Sequence, residues 1–176
     1  REDIQCLVKD DPAYPALLKE IYSAPALLYC RGSSGALGSQ AAVAVVGTRK
    51  CTQYGQRAAE EITAGLARQR VTIVSGLALG IDAVAHQACL TAGGTTVAVI
   101  GTGLDRRSVY PAQNRYLADR ISAAGGVVIT EFPPGTPPLK QHFPQRNRLI
   151  AGLSLGTLVV EAGERSGALI TAHFAL

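Results

Sequence analysis

The hydrophobic positions of this chain come in short runs, each closed by glycine or a small polar residue, with stretches of helical spacing between them. Residues 43–46 form an apolar run of Val and Ala that stops at Gly47, the pattern of a strand buried on both faces. Residues 54–68 then place Ala58, Ile62 and Leu66 along one helical face. The alternation repeats. A strand is predicted over 71–74, a helix over 81–91 stopped by Gly93-Gly94, and a strand over 96–100 ending at Gly101. A helix over 113–123, halted by Gly125-Gly126, leads to a strand over 127–130. After a Pro-rich stretch over 132–144, a helix is predicted over 146–153, a strand over 157–160 and a helix from residue 166 onward.

Strands alternating with helices across short loops define a doubly wound α/β architecture, Rossmann-like in kind: a mostly parallel sheet with helices on both faces. The first 40 residues read differently. Asp11-Pro12, Tyr14-Pro15 and Ala24-Pro25 interrupt any long helix, and residues 33–40 (SSGALGSQ) have the composition of a loop. Residues 1–40 are therefore expected to be a lead-in and linker packing on the core, with the Rossmann-like domain over 41–176. The last apolar helical stretch runs to Leu176, so a truncated end and a further strand beyond it are expected. The Pro-rich connection carries no secondary-structure pattern of its own, which marks it as a functional loop.

Composition narrows the picture. With 176 residues, 47% hydrophobic and 17% charged, the chain is far from disorder and long enough for one self-supporting core. No apolar run approaches the roughly 18 residues of a membrane-spanning helix. The opening residues lack the pattern of a secretory leader, so a cytoplasmic protein without a membrane partner is expected. Cys6, Cys30, Cys51 and Cys89 are dispersed and expected as reduced thiols. His86, His142 and His173 are equally scattered, so no metal and no cofactor are expected. The net charge of +4 permits an anionic partner without requiring one.

Ligands of open α/β sheets bind at the carboxyl ends of the strands. Five such ends can be read: Gly47-Thr48-Arg49, Ser75-Gly76-Leu77, Gly101-Thr102-Gly103, Glu131-Phe132 and Glu161-Ala162-Gly163. Glycine lets backbone N–H groups approach a ligand, and a helix N-terminus behind the loop favours anions, so the set reads as a phosphate pocket. The usual nucleotide motifs are missing: no P-loop string, and no G-x-G-x-x-G after the first strand. Residues 152–156 match G-x-S-x-G, but a helix precedes and a strand follows, the reverse of a nucleophile elbow. Asp82 and His86 are four apart and can share a helix face, though no third partner for catalysis is visible.

Residues 140–148 are the most informative segment. Lys140, His142, Phe143, Arg146, Asn147 and Arg148 follow the Pro-rich loop directly. Arginines fork onto phosphates and an exposed ring can stack on a base. A solvated basic turn with Phe143 tucked into the core is the other reading of the same residues.

The strings VAVVGTRKCTQYG (43–55), VSGLALGIDAVAHQACLTAGGTTVAVIGTGLD (74–105), YPAQN (110–114), EFPPGTPPLKQHFPQRNRLIAGLS (131–154) and VVEAGERSGALITA (159–172) together resemble the DNA-processing protein A family, also called DprA or Smf. The resemblance extends over nearly all of residues 11–176. It implies a Rossmann-like domain that binds single-stranded DNA, protects it, and helps load the RecA recombinase in natural transformation, a competence and DNA-recombination role. It also implies a homodimer and binding rather than catalytic residues. Arg49, after Gly47 and Thr48, matches the family arginine on backbone phosphate. Lys140 and Phe143 match the basic residue and the ring of the DNA groove, and Arg146, Asn147 and Arg148 match the signature beside the pocket. Ser75, Gly76 and Gly80 match a second Gly-rich loop, and Ser166, Gly167 and Thr171 the loop and helix after the last strand. Gly101 and Gly103 complete the expected DNA/phosphate set from the third strand end. One position departs: Leu79 stands where the family usually has Arg, with Arg106 or Arg107 as possible compensation.

Two alternatives stand beside this expectation. One is a nucleotide-processing enzyme resembling the lysine-decarboxylase-like phosphoribohydrolases, with Glu161 as a strand-end acid in place of their P-G-G-x-G-T-x-x-E string. The other is a protein-interaction module with a vestigial pocket.

Overall fold

A computed structural model describes residues 3–39, 41–164 and 166–176. Arg1, Glu2 and Gln40 of the expected lead-in and Arg165 of the last loop lie outside the described residues. The elements are β1 (Ile4–Val8), α1 (Ala16–Glu20), β2 (Leu27–Gly32), β3 (Ala42–Val46), α2 (Gln53–Arg68), β4 (Thr72–Ser75) and α3 (Ile81–Thr91). They continue with β5 (Thr96–Val99), α4 (Arg115–Ala123), β6 (Val127–Thr130), α5 (His142–Gly152), β7 (Gly156–Val159) and α6 (Gly167–Phe174). Single 3-10 turns cover Ser34–Gly38 and Ala112–Asn114.

All seven strands join one sheet in the order β1-β2-β6-β5-β4-β3-β7. The run β6-β5-β4-β3-β7 is parallel, and the β1–β2 hairpin adds to its β6 edge in antiparallel sense. Successive residues of the central strands face opposite layers, as the period of two requires. Ala44, Val46, Val74, Val97, Val99, Val127 and Ile129 pack under α1, α5 and α6 with Leu18, Leu149, Ile150 and Ala168. Val45 and Ile73 turn the other way, to Ala59 and Ala67 of α2 and Ile81, Ala85 and Cys89 of α3. Ala98 and Val128 meet Leu117, Ala118 and Ile121 of α4. The architecture is the expected Rossmann-like one, and burial on both faces explains why these strands read as unbroken apolar runs.

The N-terminal segment differs from its sequence pattern. Residues 4–8 and 27–32, expected as part of a lead-in, pair as strands and extend the sheet, with Ile4 opposite Arg31 and Val8 opposite Leu27. The expected loop over 33–40 contains a 3-10 turn that buries Leu37. The helix expected over 146–153 begins earlier, at His142, because Pro144 sits in its first turn, where no N–H is missed.

The chain runs outward from β3 through β4 and β5 to β6, then returns to place β7 on the other side of β3. Between β3 and β7 the direction of winding reverses. Their carboxyl ends therefore splay apart and leave a crevice.

Candidate nucleic-acid interface

A cleft of about 870 Å³ occupies that crevice. Its walls come from Gly47, Thr48 and Arg49 after β3, Lys140 and Phe143 beyond β6, and Ser166, Gly167 and Thr171 at α6. Arg146, Asn147 and Ile150 line it too. Phe143, Arg146, Asn147 and Ile150 recur at three- and four-residue steps, so one stripe of α5 faces the cleft.

The loops are held by backbone constraints. Gly80 has φ +76°, and a Cβ there would lie 2.3 Å from the Thr48 carbonyl oxygen, so only glycine lets α3 start against the β3 loop. Gly76 makes room for Arg146, whose Nη2 would be 2.7 Å from an added Cβ. Asp82 accepts hydrogen bonds from the Gly76 and Ala78 amides at 3.1 and 3.3 Å, and Asn114 donates to the Leu77 and Ala78 carbonyls at 2.8 and 3.1 Å. Both sides of the β4–α3 loop are thus clamped.

Charge is distributed in depth. Arg49 and Lys140 are exposed on the rim, whereas Arg146 is buried at the floor, donating to the Gly76 carbonyl at 2.6 Å and to the Val99 carbonyl. Burial lowers the Arg146 pKa to about 10 against the opposing pull of Asp82, which leaves it cationic at neutral pH. Burial also pushes the Asp82 carboxyl up, outweighing Arg146 and its backbone donors. Arg49 carries its guanidinium carbon 5.7 Å from the Phe143 ring centroid, a cation–π contact, and Tyr110 tilts against the same ring at 5.8 Å and 51°.

The N-termini of α2 and α6 differ in what already occupies them. Glu161 accepts from the Thr52 amide at 3.0 Å and the Thr52 hydroxyl at 3.1 Å, so this carboxylate already occupies the positive end of α2. It does not line the cleft. The α6 N-terminus, capped by Ser166 through the Ala168 amide, opens into the cleft instead.

Other expected residues lie elsewhere. Ser75 is buried with its hydroxyl donating to the Val45 carbonyl at 2.6 Å. Gly101 packs under His142 and Phe143, and Gly103 joins the Asp105–Gly135 contact below the Pro-rich loop. Arg148 leaves the cleft altogether, because helical phase turns it to the opposite side of α5, where it forms a paired bridge with Glu131 at 2.6 Å. Arg106 reaches Asp119 at 3.6 Å. Asp82, considered with His86 in the sequence, instead clamps the β4–α3 loop, and Tyr110 and Asn114 of the YPAQN string take their places beside it only through the fold.

Among the described residues no group of His, Cys, Asp and Glu could hold a metal ion, and no helix is long and apolar enough to cross a membrane.

A sequence model of the family described as DNA recombination-mediator protein A matches residues 5–176. The chain belongs to this family. Among relatives of the recombination-mediator family, Protein Smf of Synechocystis sp. is 51% identical over 174 residues, covering 97% of this chain and 43% of that protein. DNA processing protein A of Streptococcus pneumoniae, solved by X-ray crystallography, superposes with a TM-score of 0.90 at 46% identity, covering 99% of this chain and 60% of that one. DNA processing protein A of Helicobacter pylori, studied for its single-stranded DNA binding mode, superposes with a TM-score of 0.84 at 31% identity, covering 98% and 76%. The chain spans 43% to 57% of the first relatives it matches.

Proposed function

We propose that the cleft between β3 and β7 binds single-stranded DNA with little base preference, as the core of a protein that protects incoming DNA and hands it to a RecA-type recombinase during transformation. The observation that carries this reading is the Arg49–Phe143–Lys140 grouping on the rim of the crevice, backed by Arg146 and the α6 N-terminus. Phosphates give salt-dependent affinity to such a groove, and a ring accepts any base. The Helicobacter pylori relative's single-stranded DNA binding supports the same reading. Arg49 and Lys140 are assigned to phosphates and Phe143 to a base; Gly47, Thr48, Ser166, Gly167 and Thr171 supply the anion-facing backbone and hydroxyls. Association as a homodimer and transfer to the recombinase belong to the proposal and rest on family membership; sedimentation and a recombinase-loading assay test them.

The phosphoribohydrolase-like alternative needs a free acid at the β7 end, and Glu161 is already committed to Thr52.

Fluorescence anisotropy of a labelled poly-dT oligonucleotide, titrated at several salt concentrations against a duplex of equal length, tests the assignment. The single strand is expected to bind more tightly and to weaken with salt. Arg49→Ala should flatten the slope of log K against log salt by about 0.7, one single-strand phosphate's worth. Phe143→Ala should weaken binding without changing that slope. Equal slopes for Arg49→Ala and the parent chain would remove Arg49 from the phosphate track.

A further inference from the structure

Tyr110 stands outside the residues assigned above, yet it is 45% exposed and lines the same cleft. Leu79, 40% exposed, shares with it a second hollow of about 40 Å³, bounded also by Arg49, Ala78, Pro111 and Phe143. Single exposed apolar residues are ordinary on a protein surface. Here an aromatic and an aliphatic side chain meet at the lip of a cationic cleft, beside a second ring. The hollow is little larger than one water's share of liquid, about 30 Å³, so it cannot admit a nucleobase.

The two rings are not equivalent platforms. Phe143 is only half-exposed, and the Arg49 guanidinium lies over its ring. With centroids 5.8 Å apart and a tilt of 51°, the pair cannot sandwich a base between them. Each ring can offer only its outer face, and Tyr110 is the more exposed. The β4–α3 loop beneath this shelf is fixed by Asp82 and Asn114, so Leu79 is presented on a clamped backbone.

Building on the single-strand reading, we propose that Tyr110, flanked by Leu79, forms a second and independent nucleobase-stacking subsite, one step along the strand from Phe143 and away from the α6 N-terminus. The strand then crosses the sheet ends from β7 and β3 toward β5, with phosphates over Arg49 and Lys140 and bases on the two rings in turn.

The test is a double-mutant cycle read by poly-dT anisotropy across salt, with an abasic oligonucleotide of equal length as the comparator. Tyr110→Ala is expected to raise Kd on poly-dT roughly 5- to 150-fold, the range for loss of one base–aromatic stack, with an unchanged salt slope. Tyr110→Phe, which keeps the ring, should bind like the parent chain. On the abasic strand Tyr110→Ala and the parent should bind alike. In a Phe143→Ala background, Tyr110→Ala should impose nearly its full penalty again. Loss of that penalty in the Phe143→Ala background would show that Tyr110 only props Phe143, and would overturn the second subsite. Equal Kd for Tyr110→Ala and the parent on poly-dT would also overturn it while leaving the cleft assignment standing. Failure of the parent chain itself to bind poly-dT at low salt overturns the cleft assignment, and the shelf with it.

Discussion

Leu79 sits at the lip of the cleft, in the same small hollow as Arg49 and Phe143, where a longer cationic side chain would reach the proposed phosphate track. Leu79→Arg should therefore tighten poly-dT binding at low salt and steepen its salt dependence by about 0.7. An unchanged slope in the anisotropy titration would place position 79 off that track. The residues easiest to read from sequence were those beside strand ends, since a strand end fixes where the next few side chains go. Arg49, three residues past the end of β3, reaches the rim for that reason. Arg148 was misleading because the basic strip is helical: a residue two places from Arg146 is carried to the other side of α5, into its bridge with Glu131. Tyr110 belongs to the YPAQN string that carries the family resemblance, but its place beside the cleft shows only once Phe143 is set against it.

At the scale of elements, the β4–α3 loop shows how a binding surface is kept rigid from below. Leu77 adopts φ 59°, and the carbonyls on either side of the next peptide are both held by the Asn114 amide. Asn114→Ala leaves those carbonyls without their donor and should cost about 1–3 kcal/mol of unfolding free energy in urea denaturation. A loss much below this range would mean that water replaces the amide without strain. Such a clamp joins two loops far apart in sequence, so periodicity could not reveal it. The same limit hid the β1–β2 hairpin. Its β1 strand (IQCLV) buries only Leu7 and leaves most of its other side chains exposed, unlike the parallel strands that are covered on both faces.

For the whole molecule, the sheet order was open to sequence only as a class, because runs of Val and Ile mark strands but not their neighbours. What the doubly wound arrangement adds is a buried polar contact between α3 and β5. His86 is wholly enclosed there, 2.7 Å from the Thr96 hydroxyl, and burial lowers its pKa from 6.5 to about 3. The unfolded chain takes up a proton near pH 6.5 that the folded chain refuses until about pH 3, so stability should fall as pH falls through that window. The histidine's share of the slope is at most about 1.4 kcal/mol per pH unit. His86→Gln should give a shallower decline in urea unfolding between pH 6 and 4, and an identical pH profile would refute the assignment. The pairing of β7 with β3 has a different consequence. Everything from α2 to α5 lies between these two strands in the chain, yet together they form the walls of the cleft. A polypeptide still being synthesised thus has no groove to offer until β7 and α6 have emerged and folded back. Until then the proposed single-strand site lacks one of its walls.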